Sequence, residues 1–321
     1  MTGPRLPEPR GETTEWLIAR LREPAEWFDD EPPLGIADPL TDDDFQLALY
    51  VLYELHYRGF DGVDPLWEWE PALLRVRARL EALFEAAVRE VAGDDEPAPA
   101  DVPNRLAELI ERADAPPVSR YLERMATVDQ FREFLVHRSA YQLKEADPHS
   151  FAIARLTGRA KVALVEIQAD EYGGGRAERQ HARLFAKTMD ALGLDSRYGA
   201  YLDQIPGTTL ATVNLMSLFG LHRRLRGAIV GHLAVLEMDS TQPNRRYGNG
   251  LRRLGFDERA TDFFDEHVEA DAVHEALAAH DLAGALAQDE PALATDILFG
   301  ARAMIAIDAI AGRRIYDAFQ A

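Results

Sequence analysis

An all-α fold is what this chain predicts, and three observations carry the prediction. Apolar residues recur at three-and-four spacing through nearly every segment. Glycine and proline punctuate those segments at their ends. No stretch alternates valine, isoleucine and threonine with polar residues between turn signals, as a half-buried strand would. The 321 residues, 47% of them hydrophobic and 28% charged, provide ample material for one large core. No period of 30 to 50 residues repeats.

Taken in order, residues 1–43 read as an N-terminal arm. Pro4, Pro7, Pro9 and Pro24 and two acidic runs break any regular pattern there. Trp16 with Leu17 and Ile18, and Trp27 with Phe28, are candidates to staple that arm to the body. Residues 44–321 form the main domain. From Asp43 a broad apolar face begins, ended by Gly59 and the turn at 62–65, and a second helix follows from about Glu70 to Val91. After an acidic, proline-rich linker at 93–103 come short helices at 106–113 and 118–125. Longer ones span 128–146 and 151–172. Gly173, Gly174 and Gly175 interrupt the pattern before helix resumes over 176–192. Helices at 208–219, 223–238, 258–280, 285–288 and 291–318 complete the chain, and the segment 241–250 reads as a connection between two of them.

Composition then narrows the function. The formal net charge is −20, and no basic patch with interleaved aromatics is present, so nucleic acid and anionic membranes are poor partners. Absence of cysteine excludes disulfides, thiolate metal sites and cysteine nucleophiles. Residues 1–10 carry no apolar signal core and no apolar run approaches the roughly 20 residues of a membrane span, so a cytoplasmic location is expected. Any metal must be held by nitrogen and oxygen.

His267, Asp271 and His274 stand at i, i+4 and i+7. On a helix they fall within a sector of about 60° and climb one face over two turns, a set of ligands suited to a divalent metal such as iron. Partners must be acids or histidines set in otherwise apolar helices. Glu237 closes an apolar run from Ala228 to Leu236. His181 lies three residues after Glu178 and ten after Glu171, and ten residues of unbroken helix would separate the latter pair by about 15 Å. The glycine run between them is a place where the chain can fold back. Glu145 ends the 128–146 helix. His149 is an alternative to Glu145, and Glu166 or Glu178 to Glu171. His56, His137, His222, His232 and His280 read as core-edge or surface residues.

The order Glu145, Glu171, His181, Glu237, then His-x-x-x-Asp-x-x-His at 267–274 resembles the haem-oxygenase-like di-iron oxidases and oxygenases, whose members are described as iron-containing redox enzymes. The resemblance covers roughly residues 45–320, and the extra carboxylate Glu145 is similar to that of the N-oxygenase branch. It implies a haem-oxygenase-like bundle of about seven core helices with extra N-terminal helices. It also implies two iron ions, O2 as co-substrate and an external electron donor. One iron would be held by Glu145, His181 and His274, and the other by Glu237, His267 and Asp271, with Glu171 bridging. N-oxygenation of an amine or guanidine-type small molecule is the implied reaction. The alternative is oxidative C–C cleavage or decarboxylation of an amino or fatty acid, and a non-catalytic iron-binding protein is a third reading. Asn214, Arg246 and Tyr247, with Met216, Arg245 and Asn249, are candidate substrate-pocket residues because they flank the ligand helices. A homodimer is compatible with the sequence.

Overall fold

The computed structural model describes residues 3–93 and 101–321, apart from the side chains of 270–273. Among the described residues the fold is helical throughout, with no strand. Helix α1 (Glu12–Leu21) lies within the expected arm, which is no loose appendage. The Thr13 and Thr14 amides donate to the Asp44 carboxylate, both at 2.9 Å, and Leu17, Ile18 and Leu21 are buried. Trp16 packs edge-on against the buried Phe28, whereas Trp27 is 59% exposed and meets the body through the Arg75 guanidinium, 5.4 Å from its ring centroid.

Helix α2 (Asp43–Glu54) starts where Asp42 accepts from the Phe45 amide, and α3 (Pro71–Ala92) where Glu70 accepts from the Leu73 amide ahead of a proline at the first position. Then follow α4 (Val102–Glu111), α5 (Val118–Arg124) and α6 (Val128–Gln142), the last opened by a reciprocal Thr127–Gln130 capping box. After α6 come the single turn α7 (Asp147–Ser150), α8 (Gly158–Glu171), α9 (His181–Ala191), α10 (Gly207–Leu221) and α11 (Arg226–Asp239). The segment read as a connection is helix α12 (Thr241–Arg253), packed on α5 and α13 (Glu258–Ala276). A π-helical stretch (Leu277–Gly284) continues α13 into α14 (Ala285–Asp289), and α15 (Ala294–Gln320) ends the chain.

Two apolar clusters hold these elements. The larger gathers α2, α3, α8, α10, α11 and α15, and the smaller gathers α5, α6, α9, α12 and α13 around Phe131, Phe134, Phe185, Phe263 and Phe264. Glycine lets α11 and α15 approach closely. A Cβ on Gly231 would run into the Ile297 carbonyl, and one on Gly300 into the Ala228 carbonyl. Helices α6, α8, α9, α11 and α13 converge where the two clusters meet.

Candidate metal centre

The expected 128–146 helix stops at Gln142, and Ala146 adopts a left-handed conformation (φ 72°). A left-handed alanine costs roughly 1–2 kcal/mol, so its surroundings must hold it. The Gln168 side chain donates to the Ala146 carbonyl at 2.8 Å, and the His149 and Ser150 amides do so at 3.1 Å. The turn aims Glu145 inward, where Gln142 donates to its Oε1 at 3.1 Å. One residue earlier, Lys144 is buried with its Nζ 3.0 Å from Glu54 Oε2 and 4.1 Å from the Tyr57 ring centroid.

Glu171 is the last residue of α8 and His181 the first of α9. Gly173, Gly174 and Gly175 all have positive φ (78°, 58° and 79°), and a Cβ at Gly173 would strike the Arg176 and Arg179 backbone. That glycine-only turn folds the chain back, and Glu171 Oε2 comes to 2.9 Å from His181 Nδ1. Glu237 enters from α11, and His267 and His274 from α13. Glu145, Glu171, Glu237, His181, His267 and His274 are all buried.

These side chains fall into two groups whose ligand atoms lie within 4.8 Å of one another. Glu145, Glu171, His181 and His267 form one, and Glu171, Glu237 and His274 the other. Glu171 belongs to both. The division of the α13 histidines differs from the one the resemblance implied. His267 Nε2 faces Glu145 Oε1 at 3.5 Å and its ring lies on His181 (centroids 4.4 Å), while His274 Nδ1 faces Glu237 Oε2 at 3.3 Å. The reason is axial: two helical turns separate the histidines, and each meets the ligands at its own level. Asp271 lies on α13 between them, and its side chain falls outside the described residues. Glu166 and Glu178 are exposed and take no part. His149 is buried beside the groups but bonds to His232 (Nε2 to Nδ1, 3.3 Å). His56 is engaged elsewhere, 3.3 Å from Glu68.

The arrangement suits a cation. Glu145 Oε2, Glu171 Oε2, His181 Nδ1 and His274 Nδ1 are buried without an aligned hydrogen bond, a costly state for four polar atoms unless something binds them. Both α13 imidazoles are oriented from behind. His267 Nδ1 contacts the Phe263 carbonyl at 2.7 Å, and His274 Nε2 contacts Asp170 Oδ2 at 3.1 Å, which leaves one nitrogen of each ring for the cluster. Asp170 was not singled out by the sequence, though its place beside Glu171 was a signal. Despite burial, which would raise it, the Glu171 carboxyl is held at about 2 by His181, His267 and His274. Despite burial, which would lower it, the His274 imidazole is raised to about 9 by Glu237, Asp170 and Glu171. Protons thus sit where a divalent ion would replace them.

A cavity of about 40 Å³ opens onto Glu145, Glu171, Glu237 and His267, and a larger one of about 550 Å³ lies next to it. Arg138, Tyr141 and Leu236 line both. Of the candidate pocket residues, Arg246, Tyr247 and Met216 line the larger cavity. Asn214 does not: it is fully buried and donates to the Gln46 backbone and side chain at 2.9 and 2.7 Å, tying α10 to α2. Arg245 and Asn249 are exposed. The cavity also receives Asp239 and Asp308, which the sequence left unremarked, and His137 and His232, which it read as core-edge or surface residues.

Comparison with known proteins agrees with this geometry. A nitrosourea synthase from Streptomyces achromogenes subsp. streptozoticus is 29% identical over 147 residues, which is 46% of this chain and 31% of that one. The matched stretch therefore spans about a third of that relative's length. A solved structure of a CADD-like protein of unknown function from Nostoc punctiforme shares the fold at 16% identity, with a TM-score of 0.55 over 68% of this chain and 97% of that chain. The family described as iron-containing redox enzyme matches residues 132–309, more than half of the chain and the whole stretch bearing the ligand groups. The chain belongs to that family, has its haem-oxygenase-like helical fold, and is an oxidoreductase.

Proposed function

We propose that this chain is a di-iron oxygenase that uses O2 and an external reductant to oxygenate a nitrogen of an amine or guanidine-type small molecule. The observation that carries this reading is the pair of buried ligand groups joined through Glu171. Glu145, His181 and His267 would hold one iron with Glu171, and Glu237 and His274 the other; three carboxylates keep two ferrous ions near neutral in a dry core. Bound there, iron supplies O2 activation. Each turnover puts one oxygen atom into substrate and reduces the other to water, consuming two electrons from the reductant and two protons. The likeness to a nitrosourea synthase supports nitrogen as the atom oxidised.

The chain's own residues set the conditions. The Phe263 carbonyl and Asp170 fix the two α13 imidazoles, and Gln142 steadies Glu145. Arg138, Tyr141 and Leu236 divide the ligand cluster from the larger cavity, so substrate approaches through that partition. The test is O2 uptake by protein loaded anaerobically with ferrous iron and given a reductant, with 18O2 and mass spectrometry to locate the label. Label in a nitrogen-bound oxygen is expected, and His267→Ala should end uptake while helicity by circular dichroism is kept. A fully active His267→Ala variant would overturn the assignment.

A further inference from the structure

Between the ligand cluster and the larger cavity stand two imidazoles that the metal centre leaves unused. His149 sits on α7, just past the left-handed turn at Ala146 that aims Glu145 inward, and its amide donates to the Ala146 carbonyl at 3.1 Å. His232 comes from α11, next to Gly231, where that helix presses on α15. The two residues are 1% and 4% exposed, and His149 Nε2 lies 3.3 Å from His232 Nδ1. His149 lines the small cavity with Glu145, Glu171 and Glu237, whereas His232 lines the larger one. His149 Nδ1 is buried without a hydrogen-bond partner, and His232 Nε2 has none among the described residues. A tie between α7 and α11 needs only the central hydrogen bond; it does not explain an open nitrogen at each end.

We propose that His149 and His232 form a proton relay from the larger cavity to the ligand cluster. A neutral imidazole carries one N–H and one lone pair, so the central bond locks the two tautomers together. In one state His232 Nδ1 donates to His149 Nε2, which leaves a proton on His149 Nδ1 and a lone pair on His232 Nε2. His232 Nε2 then takes a proton in the larger cavity, the Nδ1 proton passes to His149 Nε2, and the His149 Nδ1 proton leaves into the small cavity. Each N–H bond that breaks is replaced by one that forms, and both rings end neutral; rotation of the rings resets the pair. Burial favours the neutral forms. It lowers His149 to about 4, with Glu171 working against it, and it puts His232 well below its ordinary value, His149 adding to the effect. About 40 Å³ is room enough for a water to carry the proton on to the carboxylates. Of the residues that line both cavities, Arg138 keeps its proton, Leu236 has none to move, and burial pushes the Tyr141 hydroxyl well up. The proposal rests on the oxygenase reading: O2 reduction consumes two protons at a buried centre, and the relay brings one of them.

Two readouts on the full chain test it, and the first needs no metal. Nitrogen NMR of histidine-labelled protein at pH 7, assigned with His149→Gln and His232→Gln, should show both rings neutral and a scalar coupling between His149 Nε2 and His232 Nδ1. A doubly protonated ring, or no coupling, overturns the relay whatever iron does. The second readout is O2 uptake by ferrous-loaded protein with ascorbate as reductant. His232→Gln should still bind two irons per chain, while its O2 uptake falls at least about tenfold. In His232→Ala, added imidazole should restore uptake and pyrrole, a ring of the same size without a basic nitrogen, should not; imidazole should leave the unaltered protein no faster. An active unaltered chain matched by an equally active His232→Gln overturns the relay and spares the oxygenase reading, and rescue by pyrrole as well as imidazole reduces the pair to packing. An unaltered iron-loaded chain that takes up no O2 removes the oxygenase reading, and the relay's role with it.

Discussion

Replacing Lys144 with methionine should show how the fold holds the ligand cluster in place. Lys144 and Glu54 form an ion pair at 3.0 Å with side chains 1% and 0% exposed. Glu54 also accepts from the Tyr198 hydroxyl at 2.5 Å, and Lys144 Nζ lies within 5 Å of the Tyr50 and Tyr57 ring centroids. Methionine keeps the bulk and removes the cation, stranding the Glu54 carboxylate in a dry site. Breaking one partner of such a pair costs about 3–5 kcal/mol. With an unfolding entropy of about 2.1 cal/mol/K per residue, a chain of 321 residues should lose roughly 4–7 °C in Tm. Lys144 precedes Glu145, so iron affinity should fall with it. Adding Glu54→Gln, which removes the stranded charge and keeps an acceptor for Tyr198, should return most of the stability. Thermal and urea unfolding of the single and double variants measure both effects. A loss below about 1 kcal/mol for Lys144→Met, or a double variant no more stable than the single, would show that this ion pair does not hold the turn.

Two further perturbations probe the frame. Gly231→Ala puts a Cβ into the Ile297 carbonyl, so α11 and α15 must separate; a loss of at least about 2 kcal/mol is expected in urea unfolding, although alanine is ordinarily the better helix former by about 1 kcal/mol. Burial, with a smaller push from Arg314, lowers the His137 imidazole from 6.5 to about 4, its Nδ1 lying 2.8 Å from the Thr209 hydroxyl. The unfolded chain then binds the extra proton first as pH falls. Stability from this group is complete above pH 6.5 and declines down to about pH 4, by roughly 3 kcal/mol in total. His137→Asn should flatten urea stability between those pH values by about that amount.

Much of this was legible in the chain because the physics was local. Two histidines and an aspartate spaced by whole turns share a helix face wherever the helix goes. Three consecutive glycines between Glu171 and His181 announced a turn that other residues cannot make, and that turn brings the pair within 2.9 Å. What was not legible depends on register and on neighbours distant in sequence. Helix α12 is built largely from Gln242, Pro243, Asn244, Arg245, Arg246 and Asn249, so its pattern is polar, and its helicity comes from packing on α5 and α13. Which α13 histidine meets which carboxylate is set by the axial placement of α9 and α11, and no spacing within α13 encodes it. Asn214 read as a pocket residue because it flanks the ligand helices; its partner, Gln46, is 168 positions away.

The direct test of the central claim is a ferrous titration of the full chain under argon, followed by metal analysis after desalting. Because Glu171 belongs to both ligand groups, two irons per chain are expected in the unaltered protein and at most one, weakly held, in Glu171→Ala. One iron or fewer in the unaltered chain, or two tightly held irons in Glu171→Ala, would contradict it.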